Sequence, residues 1–249
     1  MNLHFELSKK PTFSREDLEK YYNGIEGMRS AIRYLLEDGL VMKIRNNLYT
    51  CISGETGSAI ANHYQIACAL TPTAYISHHT AMEYYGVGDQ IFYEVYVSSS
   101  TRFREFSFEG YSYKYISSKC DIGIIEAPYS AGVRVTDRER TVIDSIKDIG
   151  KIAGIEEVVA NISSLSRLNT TKLLEYLKYY QNQFLYQKVG FLLENYQEKL
   201  GLSDSFFEIC KEKTGKSKRY LAKEAAGGKY NGKWKLIVPS NVFNLKNGE

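Results

Sequence analysis

Apolar positions recur at helical spacing through the first forty or so residues and then pass into a hairpin alternation. Leu18, Tyr21 and Tyr22 stand at i, i+3 and i+4, which predicts a helix from about Arg15 to Tyr22 with one face committed to a core. Its start is signalled by Ser14 as N-cap, Asp17 as the capping-box acid, and Phe13 with Leu18 as a hydrophobic staple. Asn23-Gly24 makes a turn. A second helix, 25–38, follows with Ile25, Met28, Ile32, Leu35 and Leu36 on one face and Glu26, Arg29, Ser30 and Arg33 on the other. Gly39 closes it. Next, Leu40, Met42 and Ile44 alternate with Val41, Lys43 and Arg45, and a turn at Asn46-Asn47 returns the chain as 48–52. Two helices joined by a short turn, the second bearing arginines one turn apart, then a basic hairpin, make the order of a winged helix-turn-helix. This predicts a DNA-binding domain over residues 1–52, with a short first helix because only Met1 to Lys10 precede Pro11.

The polar, glycine-containing stretch 53–57 marks the expected domain boundary, and 58–249 the second domain. There the pattern predicts helices over 58–70 and from Ser77 through Tyr85. Short strands over 93–97, 106–108, 111–116, 122–126 and 133–135 come next. Helices over 138–148, 154–165, 170–180, 183–200 and 204–213 precede a last strand over 234–238. The class is therefore α+β, a small and mainly antiparallel sheet with a helical half.

Length and composition agree with two globular domains: 249 residues, 43% hydrophobic. With no apolar run of membrane-spanning length and no signal-peptide pattern at the amino end, a cytoplasmic protein without a membrane partner is expected. The scattered Cys51, Cys68, Cys120 and Cys210 suggest neither a disulfide framework nor zinc, but buried apolar groups. Charge is uneven beneath a net +3. Residues 53–210 carry fourteen basic and nineteen acidic side chains, whereas 211–249 carry ten basic and three acidic. A basic carboxyl-terminal end on an acidic body suggests a second contact with a polyanion, with a solvated lysine-rich surface as the alternative. Tyrosine, at 21 residues, reads as half-buried sheet and rim packing.

Catalytic patterns are scarce. Phosphate-binding loops, a nucleophile elbow and a zinc-protease helix are all missing from the sequence. His78 and His79 are adjacent, so on a helix they diverge by about 100° and cannot share an ion; a structural role is expected. Asp89, Glu94, Asp121 and Glu126 would suit a metal-dependent nuclease, but Tyr96 and Pro128 occupy the positions where its lysine belongs. No catalytic residue, metal or cofactor is therefore expected. A nuclease targeted by the winged module, or a ligand-sensing regulator, remains the alternative. For DNA, Arg29, Ser30 and Arg33 are the candidates for base edges, since arginine can bridge guanine O6 and N7. Ser14, Arg15, Lys43, Arg45 and Asn46, with Lys216, Lys218 and Arg219 from the second domain, are the candidates for phosphate.

Three segments of the second domain resemble one family. The run 74–86, AYISHHTAMEYYG, resembles the strand, serine-capped helix and glycine that open the antitoxin domain of AbiEi-type proteins. The run 133–144, VRVTDRERTVID, is similar to that family's E-R-T-[LV]-[LI]-D helix. The run 188–194, KVGFLLE, is similar to its R-x-G-x-L-L-E helix, with Lys188 where arginine is more usual. The resemblance implies an antitoxin of a type IV abortive-infection (phage-defence) toxin–antitoxin system. Such proteins repress their own operon at inverted repeats in the promoter, and counter a nucleotidyltransferase-like toxin without necessarily forming a stable complex with it.

Overall fold

A computed structural model describes residues 3–87, 92–152, 154–225, 227–240 and 242–243. The chain is α+β and divides into two compact units. The first comprises Met1–Ile76, Phe92–Cys120 and Ile124–Val135, the second Ser77–Ile91, Asp121–Gly123 and Thr136–Glu249. The break expected at 53–57 thus falls inside the first unit.

In the first unit, α1 (Leu3–Leu7) leads to a 3-10 turn (Arg15–Leu18), α2 (Ile25–Glu37), and the hairpin β1 (Val41–Arg45) and β2 (Leu48–Cys51). The segment expected to be helical to Tyr22 winds instead through i→i+3 bonds, Asp17 to Ser14, Glu19 to Glu16 and Tyr21 to Leu18. The capping-box acid is in place nonetheless, with Ser14 N–H donating to Asp17 Oδ2 at 2.8 Å. Phe13 and Tyr49 exchange both backbone bonds, adding a third strand position to the hairpin. Leu7, Phe13, Leu18, Met28, Ile32, Leu35, Val41 and Cys51 form one core. Ile25 and Leu36, expected inside, are 56% and 36% exposed. The buried stripe of α2 is Met28, Ile32 and Leu35, narrow because the elements packed on it are short. An irregularity between Lys43 and Arg45 shifts the hairpin register, so Val41 and Ile44 are both buried in place of strict alternation.

Downstream, α3 (His63–Ala69) starts later than expected, at Asn62, whose side chain accepts from Gln65 N–H. Strands β3 (Tyr75–Ile76), β4 (Glu94–Ser99), β5 (Phe106–Phe108), β6 (Tyr111–Ser117), β7 (Ile124–Glu126) and β8 (Arg134–Thr136) form one sheet, ordered β5-β6-β4-β3-β8-β7. The β5/β6 and β3/β4 pairs are antiparallel, whereas β4/β6 and β3/β8 are parallel. Its tyrosines divide: Tyr111 and Tyr115 are half-buried, whereas Tyr75, Tyr96 and Tyr113 are buried, Tyr113 with Phe106 stacked on it at 4.8 Å.

The second unit holds α4 (His78–Tyr84), α5 (Arg138–Lys147), α6 (Ile155–Ser164), α7 (Thr170–Tyr180), α8 (Gln183–Glu194), α9 (Gln197–Leu200) and α10 (Asp204–Glu212). Side-chain caps start three of them: Asp137 accepts from Arg140 N–H, Asn169 from Lys172 N–H, and Asn182 from Phe184 and Leu185 N–H. The single helix expected over 183–200 is two, because Tyr196 leaves helical geometry (φ −119°, ψ 17°) with its ring against Phe243. Helix α5 is central, packing on α4, α6, α7 and α8, so Val142, Ile143 and Ile146 are fully buried and Glu139, Arg140 and Asp144 are buried too. Beyond α10, a three-stranded sheet joins β9 (Arg219–Tyr220), β10 (Lys229–Asn231) and β11 (Leu236–Val238) in the order β10-β11-β9. Of these only the last was expected. Trp234, fully buried, packs edge-on against Gly190 of α8. Among the described residues, no helix is long and apolar enough to cross a membrane.

Candidate functional site

The first unit carries an open groove of about 300 Å³ lined by Arg15, Arg29, Ile32, Arg33, Leu36 and Tyr49. Helix α2 supplies two arginines because its outer face repeats at i and i+4, and the 3-10 turn supplies the third. Leu36, left out of the core, becomes part of the groove. Tyr49 is held by stacking on Phe13 at 5.6 Å. Arg29 pairs with Glu26 at 2.9 Å, both side chains largely exposed, while Arg33 and Ser30 face solvent. Three guanidinium groups around a partly apolar floor suit an anionic ligand with a planar or apolar part.

The expected phosphate contacts divide. Lys43 and Asn46 are exposed on the hairpin. Arg15 contributes its side chain to the groove, but the backbone donors at this helix start are already used: Ser14 N–H by Asp17, and Arg15 N–H by Asn47 Oδ1 at 3.1 Å. The Ser14 hydroxyl also lies against Asp17, at 3.3 Å. Arg45 turns from the hairpin tip onto the rings of Phe103 (5.9 Å) and Phe106 (5.6 Å), because two aromatic faces offer a half-buried cation more than water does. Asn47 was missed as a contributor. Sitting at φ 56°, where asparagine is tolerated, it ties the hairpin turn to the 3-10 turn, its Nδ2 donating to Glu16 at 2.7 Å. A second asparagine in a tight turn was the available signal. Lys216, Lys218 and Arg219 are exposed and belong to the second unit, where Arg219 lies over Phe184 at 5.2 Å and Lys218 over Tyr230 at 4.7 Å.

In the second unit the motif residues of α4, α5 and α8 meet in a buried polar network. Arg140 donates through Nε to Asp144 at 2.9 Å and through Nη1 to Ile122 O at 2.5 Å, and Tyr180 donates to the same carboxylate. Asp137, besides capping α5, accepts from Tyr176 (2.7 Å) and Lys172 (2.8 Å), and Glu139 accepts from Asn169 N–H. Burial, and then the bond to Asp137, push the Tyr176 phenol far above its ordinary range. Lys188 reaches the carbonyls of Ile146 and Lys147 at the end of α5, a favourable place for a cation, although burial lowers its pKa. His78 and His79 are buried and do diverge. His78 lies between Ser77 Oγ (2.8 Å) and Asp148 (3.4 Å), and His79 is 3.1 Å from Glu157. Their acidic partners arrive from the end of α5 and from α6. Because a carboxylate only accepts, His78 Nε2 carries the proton in that contact. These charges face one another across elements, so the arrangement braces the unit.

Of the nuclease-like acids, Asp89 lies outside the described residues, and Asp121 and Glu126 are exposed. Glu94 pairs with Lys114 of the neighbouring strand at 3.7 Å. Among the described residues no group of three or more His, Cys, Asp or Glu is placed to hold a metal ion.

The chain matches no family model and no curated protein. Its fold is similar to the crystal structure of the RV2827C protein from Mycobacterium tuberculosis, with a TM-score of 0.64 at 14% identity, over 98% of this chain and 92% of that one.

Proposed function

We propose that the amino-terminal part of this chain is a winged helix-turn-helix that binds double-stranded DNA, and that the protein acts in the cytoplasm as the autorepressing antitoxin of a type IV toxin–antitoxin system. The observation carrying the DNA half is the groove bounded by Arg15, Arg29 and Arg33, beside a hairpin that leaves Lys43 and Asn46 in solvent. The order α1, strand position at Phe13, 3-10 turn, α2, hairpin supports the winged reading. In it α2 enters the major groove, Arg29, Ser30 and Arg33 meet base edges, and Arg15 and Lys43 meet the flanking phosphates. Support for the antitoxin half is the sequence resemblance, together with the way the resembling segments gather along α5: Arg140 bonds Asp144 within it, Lys188 reaches the carbonyls at its end, and His78 faces Asp148 just beyond. On this reading they maintain the domain that counters a nucleotidyltransferase toxin.

Duplexes selected from a randomised pool test the first half. Arg33→Ala should weaken the selected duplex by about 1–3 kcal/mol more than a scrambled one, while Lys43→Ala weakens both alike. Equal losses for Arg33→Ala on both would refute its base-reading role. Co-expression with the product of the adjacent reading frame tests the second half: that product should be a nucleotidyltransferase-like toxin whose growth inhibition this chain relieves, and an unrelated product or unrelieved toxicity would refute it.

A further inference from the structure

We infer that the outer face of the sheet formed by β9, β10 and β11 is a stacking platform for single-stranded nucleic acid. Register places Ile237 of the central strand between Tyr220 on one side and Tyr230 on the other, so the three side chains form one row on one face. Their strand neighbours point the opposite way: Leu236 and Val238 are buried in the core. The two tyrosines, by contrast, are 56% and 52% exposed. Two strand spacings set them roughly 10 Å apart, with an aliphatic step between, which is room for two splayed bases.

Charge says what covers this face. Residues 216–238 include seven lysines and arginines and one acidic residue. Arg219 and Lys233 are engaged on Phe184 and Glu194, but Lys216 is exposed, and Lys218 holds its ammonium 4.7 Å from the Tyr230 ring. A base stacking on Tyr230 displaces that ammonium toward the phosphate beside it. Cations alone would suit any polyanion, and paired exposed rings alone would suit many apolar surfaces. Their combination on one sheet face fits an unpaired polynucleotide, since every base has a face to stack and bases inside a duplex do not present it. The tyrosines are ten positions apart in sequence and in strands too short to be read from it, which is why only the basic charge was legible. This inference does not rest on the duplex-binding groove of the first unit.

Fluorescence anisotropy on the full chain tests it, with a labelled mixed-sequence RNA of roughly twelve nucleotides and the same sequence as DNA. Tyr220→Ala and Tyr230→Ala should each weaken binding about tenfold, Tyr→Phe at either position should hold it within about twofold, and duplex affinity should be unchanged. Tighter binding of the RNA would identify RNA as the partner, and tighter binding of the DNA would identify displaced or unpaired DNA. If neither strand binds, or if alanine variants with unaltered melting bind like the parent and are competed by heparin alone, the platform is refuted.

Discussion

Gly190→Ala sets two effects of known size against each other. Within α8, exchanging glycine for alanine should by itself stabilise the helix by about 1 kcal/mol. The added methyl, however, would lie 2.7 Å from Trp234 Cε3 and closer still to Cζ3 and Cη2. The ring has nowhere to retreat: it is fully buried, its Nε1 donates to Glu194 at 2.9 Å, and the Trp234 carbonyl accepts from Gln187 at 3.2 Å. Overpacking against so fixed a neighbour falls at the upper end of the usual ~1–3 kcal/mol. The net cost is then about 2 kcal/mol, a drop in Tm of roughly 4–8 °C for a chain of this size. Trp234 is the sole tryptophan, so its emission reports unfolding of this unit, with far-ultraviolet circular dichroism as the second probe. In a Trp234→Leu background the same alanine should become neutral or stabilising. An unchanged or raised Tm for Gly190→Ala alone would refute the packing argument.

Acid stability should depend on Asp148. Burial pushes its pKa up, but the hydrogen bond from His78 and the charge of Lys147 outweigh burial and hold it well below the carboxylate range. A carboxyl depressed in the fold contributes stability above its unfolded value of about 4, and that stability is lost as pH falls below it. Asp148→Asn should therefore lower the urea midpoint near neutrality and flatten its acid limb; a parallel acid limb would contradict this. Burial raises the thiols of Cys51 to about 11 and Cys210 to about 12, and all four cysteines are buried and none forms a disulfide. A thiol reagent should leave the native protein essentially unlabelled and titrate all of them in denaturant, and fast native labelling would contradict the packing. Glu26→Gln should release Arg29 from its ion pair and remove an anion from the groove's rim, raising affinity for any duplex by about three- to tenfold. A uniform loss of affinity would instead give Glu26 a direct contact.

The α2 segment was legible because the Asn23-Gly24 turn, periodicity and a closing glycine agree there, and α5 because Asp137 caps an apolar repeat. The 3-10 turn was not, since the choice between i→i+3 and i→i+4 bonds turns on Asn47, which lies beyond α2 in sequence. Arg45 reads as a phosphate contact until the sheet brings Phe103 and Phe106 beneath it. Leu36 fits the buried stripe of α2 by periodicity alone, yet it ends in the groove, because the elements covering that stripe are too short to reach it. Charged positions such as Arg140 and Lys188 look like surface until four helices close around them. Long-range register likewise decides which tyrosines stay outside.

The most direct test of duplex recognition is the salt dependence of affinity for a mixed-sequence DNA duplex between about 50 and about 200 mM salt. With Arg15 and Lys43 meeting phosphates, roughly two contacts per chain, log affinity should fall against log salt with a slope near −1.8. Replacing Arg15 and Lys43 together by alanine should flatten that slope by about two. Failure to bind duplex at the lowest salt, or a slope indifferent to both substitutions, would contradict the account.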